Sequence, residues 1–505
     1  MSTQIFFRAA GLLLHPSSLP GPDGHGALGP SARRFVDYLR STGARLWQVL
    51  PLVPPGAGDS PYSSASAFAG NPMLIDLDDL VRDGLLEASE LGIRDQGSSQ
   101  LDFSRAHAIK RPLLLRAASR VPDEELLEFA ARAPWADIYA TFVAIRQAHG
   151  GAPYWTWPLA LRRREATALS VAKAALRDEI RAELALQLLF DRQWSALRAY
   201  AAAADVRLIG DMPIYVDADS ADVWAAQDLF LLDEDGRAPF VSGVPPDAFS
   251  DSGQLWGNPL YRWDRMAADD FRWWAARLGR VFEQTDFVRI DHFRAFSAYW
   301  EIPAGSPDAR QGRWVDGPGL SFFEALRRHL GHMAILAEDL GVIDDAVRHL
   351  LRAAGLPGMK VLQFAFGNDA ENPYLPHHHS PEGVVYTGTH DNDTTAGYWR
   401  SAPEEVRDHV RRYFGVNGHD AVWDFIRAAL GSVATFAIIP MQDLLGLGTE
   451  ARMNRPSVAS GNWSWRLTND QLRDDVASRF RALVELYGRA GGQAALTRSP
   501  PRSPD

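Results

Sequence analysis

Eight short apolar runs, each closing on polar residues, punctuate the chain and restrict what it can fold into. They are "AAGLLLH" (9–15), "RLWQVLP" (45–51), "VRLIGDMP" (206–213), "FVRIDH" (287–292), "MAILAED" (333–339), "MKVLQFAF" (359–366), "GVVYTGTHD" (383–391) and "FAIIPMQD" (436–443). Helical patterns lie between them. In "SARRFVDYLRSTG" Ser31 is the expected N-cap and Gly43 the stop, and in "SFFEALRRHLG" Ser321 and Gly331 take those roles. Alternating strands and helices predict a parallel sheet, and eight such units predict a (β/α)8 TIM barrel.

The units are unevenly spaced. Pro51 and Val206 are 155 residues apart, far more than one strand–helix unit needs. Stretches such as "DEELLEFAARAPWADIYATFVAIRQAHG" within that gap have helical apolar spacing. The expected organisation is therefore residues 1–72 for strands 1 and 2, and 73–175 for a mostly helical insertion. Residues 176–216 return to the barrel with strand 3, and 217–275 form a second insertion carrying a lid loop at 243–258. Residues 276–492 complete the barrel, and 493–505 are a disordered tail. Insertions after strands lie at the C-terminal face, where barrel active sites are built.

Composition excludes several classes of function. The net charge of −11 argues against nucleic acid or an anionic membrane as partner. The absence of cysteine removes disulfides, thiolate catalysis and cysteine zinc sites, and fits a reducing cytoplasm. The N-terminus lacks a basic n-region, and no run of about 18 apolar residues predicts a membrane span. "GHGALG" (24–29) imitates a dinucleotide-binding loop, but the next strand ends without the acid such a site uses, so it reads as a turn. "HHH" (377–379), flanked by prolines, reads as an exposed loop and not a metal site. The sixteen Trp and thirteen Tyr suit the flat apolar faces of sugars, although most are expected in the core.

Three strands end in carboxylates: Asp291 on strand 4, Glu338 on strand 5 and Asp391 on strand 7. Acids gathered on one barrel face point to chemistry. Glycosidic bond exchange uses one ionised carboxylate as nucleophile and one protonated carboxyl as acid, about 5–5.5 Å apart in retaining enzymes. Arg289 lies two residues before Asp291, hence on the same strand face, and favours its ionised form. Glu338 has no basic neighbour in sequence, which leaves its pKa free to rise as a general acid requires. His390 and Asp391 are placed to bind ring hydroxyls. The same residues could support plain hydrolysis, or serve as Mg²⁺ ligands in a metal-dependent barrel enzyme; a silent glycan-binding protein is disfavoured by the intact acid trio.

Seven strings in order carry a resemblance to a known family. They are "DSPYSSASAFAGNP" (59–72), "GDMPIYV" (210–216), "GVPPDAFSDSGQLWGNPLY" (243–261), "VRIDHFR" (288–294), "AEDLG" (337–341), "GTHDNDT" (388–394) and "MNRP…GNWSWR" (453–466). The chain resembles the amylomaltases, the 4-α-glucanotransferases or disproportionating enzymes related to the α-amylases. The resemblance implies Asp291 as nucleophile, Glu338 as acid/base and Asp391 as transition-state stabiliser. It implies α-1,4-glucan oligosaccharides as donor and acceptor and no cofactor or metal. It further implies substrate contacts from Ser60, Tyr62, Asp211, Gln254, Trp256, Arg289, His292, His390 and Asn462, with Phe249 on the lid. Relatives often carry an aromatic pair in that lid; here Ala248 stands beside Phe249.

Overall fold

The computed structural model describes residues 6–490 except 93, 95–97, 247–249, 332, 457 and 459. Ala248, Phe249 and the tail 493–505 therefore lie outside the described residues. The described residues contain twelve strands: β1 (Ala9–Leu13), β2 (Leu46–Gln48), β3 (Arg207–Met212), β4 (Phe240–Val244), β5 (Gln254–Pro259), β6 (Phe287–Ile290), β7 (Ala298–Pro303), β8 (Arg313–Asp316), β9 (Ile335–Ala337), β10 (Gly358–Val361), β11 (Gly383–Tyr386) and β12 (Phe436–Pro440).

All eight apolar runs become strands of one parallel sheet, ordered β10-β11-β12-β1-β2-β3-β6-β9. The two ends nearly meet. The N–H of Ala337 donates to Pro357 O at 2.9 Å, and that of Met359 donates to the Asp339 carboxylate at 2.6 Å. Burial on both faces explains why these runs are continuously apolar rather than alternating. Inside the barrel Gly11 is required: a Cβ there would sit 2.6 Å from the Cβ of Leu46 and 2.7 Å from Ile438.

After β2 the chain makes several helices, among them Phe103–Ser119, Asp123–Arg132 and Pro134–Ala148. The long helix Arg177–Ala203 then leads back to β3 and buries Leu186, Phe190, Trp194 and Leu197. Two of its glutamines fix the loop that follows β2. The Gln187 amide accepts from Gly70 N–H at 2.7 Å and donates to its carbonyl at 3.0 Å; Gln193 does the same for Asp76 at the same distances. Buried side-chain amides that satisfy buried backbone in this way make the loop rigid.

A second, antiparallel sheet, β5-β4-β7-β8, stands beside the barrel. Its first hairpin spans the expected lid. Its other hairpin follows β6 and was not anticipated from sequence, because β7 pairs with a strand distant in the chain and only that pairing makes it a strand. Helix starts also differ from expectation. The helix Pro30–Thr42 is capped by Gly29 with Pro30 in its first turn, and Leu320–Leu330 by Gly319, so neither Ser31 nor Ser321 is an N-cap. A proline at the first helical position needs no N–H partner and already has helical φ. Of the three consecutive histidines, His377 and His378 are exposed, but His379 is buried against Ser432 and the Tyr374 carbonyl. No helix among the described residues is long and apolar enough to cross a membrane.

Candidate active site

The barrel brings Asp291, Glu338 and Asp391 into one cleft at the C-terminal ends of its strands. The cleft has a volume of about 1160 Å³. That lies at the top of the few hundred to roughly 1,000 Å³ of small-molecule pockets and leaves room for more than one sugar unit.

Arg289 organises the centre. It stands opposite Asp211 in the β3–β6 register. Its guanidinium contacts both oxygens of Asp211 at 2.8 and 2.9 Å and one oxygen of Asp291 at 2.8 Å. Tyr62 O–H donates to Asp211 at 2.6 Å. Burial alone would lower the Arg289 pKa, but Asp211 and Asp291 hold it well above the ordinary value. Burial pushes Asp211 up, while Arg289 pulls it down. Since both contacts to Asp211 need an acceptor, its carboxylate is ionised. Asp211 has no exposed side-chain surface. It stands behind Arg289 as a support, not on the cleft surface as the expected glucose contact, and the reason is its register opposite a buried cation.

Glu338 is held differently. His292 N–H donates to one carboxylate oxygen at 2.6 Å and Leu340 N–H to the other at 2.8 Å. His292 adopts a left-handed backbone (φ 52°, ψ 49°), a conformation seen where surrounding contacts impose it. Burial, then the nearby Asp291 charge, raise the Glu338 pKa to about 8 against the lowering effects of Arg289 and the two N–H groups. Burial and the neighbouring charge thus favour the protonated form of Glu338 beside an Asp291 that is paired with a cation.

Asp391 is oriented from the far side of the barrel. Asn454 donates to its carboxylate at 2.7 Å, Arg452 to its backbone carbonyl at 2.6 Å, and His390 Nε2 lies 3.4 Å away. The Tyr62 and His390 rings stack at 5.0 Å, and Trp463 packs against both.

The 4-alpha-glucanotransferase profile of glycoside hydrolase family 77 matches residues 14–472. The chain belongs to this family. It is 50% identical to the 4-alpha-glucanotransferase of Thermus thermophilus, over 95% of this chain and 99% of that one. It is 46% identical to the chloroplastic/amyloplastic 4-alpha-glucanotransferase of Arabidopsis thaliana, over 95% and 86%. Among solved structures, the amylomaltase of Streptococcus agalactiae in complex with acarbose superposes with a TM-score of 0.93 at 36% identity, over 96% of this chain and all of that one.

The remaining expected residues of this family-77 cleft divide by what they touch. Ser60, Tyr62, Gln254, Trp256, Arg289, His292, His390 and Asn462 all line it. His292 Nε2 is buried without a protein partner, and burial lowers the pKa of the ring to about 4. Gln254 accepts from the Trp256 indole N–H at 3.1 Å, and Trp256 meets His292 edge-on at 4.7 Å. Asn462 spends its amide on its own loop, accepting from Arg455 N–H at 3.0 Å and donating to Val458 O at 2.8 Å. Asn454, Arg452 and Trp463 were missed as site residues. Asn454 and Trp463 lie inside the quoted "MNRP…GNWSWR" strings, so the signal was present, but their roles arise only when that segment folds against Asp391. Among the described residues no group of three or more His, Cys, Asp or Glu is arranged to hold a metal ion.

Proposed function

We propose that the enzyme moves a segment of an α-1,4-glucan to the 4-hydroxyl of another glucan or of glucose by retaining double displacement. One observation carries the assignment of roles: within one cleft a buried Glu338, its pKa raised by burial and by the nearby Asp291, lies beside an Asp291 paired with Arg289. The acarbose complex of the related amylomaltase supports a glucan-like ligand.

In the first half, an Asp291 oxygen attacks the anomeric carbon while the glycosidic C–O bond breaks. Glu338 gives its proton to the leaving oxygen. The departing sugar leaves, and the donor segment remains esterified to Asp291. In the second half, the Glu338 carboxylate takes the proton of an acceptor 4-hydroxyl, whose oxygen attacks the anomeric carbon and frees Asp291. Asp391, oriented by Asn454 and flanked by His390, binds ring hydroxyls as the sugar flattens. Arg289 holds the Asp291 carboxylate in place through its 2.8 Å contact, and Asp211 and Tyr62 keep Arg289 in place. Pro245 and Ser250 of the connection between β4 and β5 line the cleft, where they limit the access of water, which competes with the acceptor. Freedom from cysteine suits work in the cytoplasm.

Maltotriose alone tests this reading. Chromatography is expected to resolve both longer oligomers and glucose or maltose; exclusively shorter sugars would replace transfer with hydrolysis. The Glu338 proton sets a second expectation. Because its pKa is raised, the acid form dominates below about 8 and is lost above it. The kcat/KM for an ordinary glucan donor should fall as pH rises through that region. A flat profile to pH 10 would remove Glu338 from the acid role.

A further inference from the structure

Fourteen of the sixteen tryptophans are buried or partly buried, and both exposed ones, Trp256 and Trp314, line the cleft. Trp256 was expected there. Trp314 lies on β8, in the hairpin that follows β6, and is 40% exposed. An indole exposed to this degree is normally free to turn, but this one is held. The Arg294 guanidinium sits 3.7 Å from the ring centroid and covers one face, and Trp300, its cross-strand partner, meets it edge-on at 5.1 Å. Arg294 is itself 6% exposed, donates to Val342 O at 2.6 Å and reaches Asp344 at 3.2 Å. The indole is therefore a fixed plate with one face backed by a buried cation and the remaining surface in the cleft.

Its connections give it a side of the reaction. The loop that Arg294 grips begins at Glu338, whose carboxylate is bound by Leu340 N–H. Asp391, His390, Tyr62 and Trp463 form a cluster of their own contacts. An acid that protonates the leaving oxygen stands beside the leaving sugar, and the acceptor later occupies that same space. Exposed Val342 adds apolar surface next to Trp314 and also lines the cleft.

We propose that Trp314, braced by Arg294 and Trp300, is an acceptor-side stacking platform for a glucose unit beyond the first acceptor sugar, and so favours longer acceptors. This rests on the transferase reading given above. It assigns Trp314 to binding; the bond-exchange chemistry stays with the three acids.

Two measurements on the full-length protein test it. With α-maltosyl fluoride as donor, fluoride release reports glycosylation of Asp291 without any leaving sugar on the acceptor side. Trp314→Ala is expected to change that release by less than about twofold while raising the KM for maltotriose and longer acceptors roughly tenfold and leaving that for glucose little altered. Trp314→Phe should recover most of the difference, because a ring remains. Calorimetric titration of maltoheptaose into Glu338→Gln, with and without Trp314→Ala, should show the same loss independently of turnover. Equal effects on glucose and on long acceptors, or unchanged binding in the titration, would overturn the platform. If the unmodified enzyme released no fluoride, the transferase reading would fall instead, and the titration would still report whether Trp314 holds glucan.

Discussion

Asp291→Asn is expected to lose turnover on every glucan donor by a factor on the order of 10⁴ or more, since no glycosyl ester can form on an amide. The fold should survive the change. The amide oxygen can still accept from Arg289 at the place now occupied by a carboxylate oxygen 2.8 Å away, and Arg289 keeps its two contacts to Asp211. A melting temperature close to that of the parent, together with absent turnover, would separate chemistry from stability. Residual activity within tenfold of the parent would transfer the nucleophile's role to another residue.

Glu338→Gln should behave differently with different donors. With a glucan whose leaving oxygen needs a proton, loss of the acid is expected to slow the reaction by about 10²–10⁴. With α-glucosyl fluoride the first half needs no proton, so the variant should be glycosylated and then stall, because no base remains to activate the acceptor. Mass spectrometry of peptides should find the sugar on the segment containing Asp291; an adduct elsewhere, or none, would sink the assignment of both acids. Some loss of stability is expected as well. The two Glu338 oxygens each accept a backbone N–H, from His292 and Leu340. A glutamine offers one oxygen and one NH₂, so one buried N–H loses its acceptor, at about 1–3 kcal/mol.

The barrel was legible because most of its strands are buried on both faces and so leave short, predominantly apolar runs. The acids were legible because they terminate those runs. Other parts depend on distant pairing. Arg289 could be placed beside Asp291 from spacing alone, but its bond to Asp211 comes from the register of two strands with no local link in sequence. Asp211 was accordingly expected on the cleft surface and stands behind it. The β7–β8 hairpin, and with it Trp314, has the same origin. Asn454 reaches Asp391 from a segment 63 residues later, a contact that no periodicity encodes. The caps Ser31 and Ser321 failed locally, because the flanking Pro30 and the preceding glycines already start those helices.

In the mechanism proposed above, the sharing of Arg289 between two carboxylates would also time the reaction. Before cleavage the trio carries one surplus negative charge, and this surplus helps to keep the proton on Glu338. When Asp291 becomes an ester its charge disappears, leaving Arg289 and Asp211 as a balanced pair. The field at Glu338 then no longer opposes a carboxylate, so the ionised form left after its proton has gone to the departing sugar is stabilised and can act as the base. The residue is an acid while the nucleophile is free and a base while it is occupied. The covalent state of Asp291 thus sets which half-reaction its neighbour is fit to assist, with no side chain required to move.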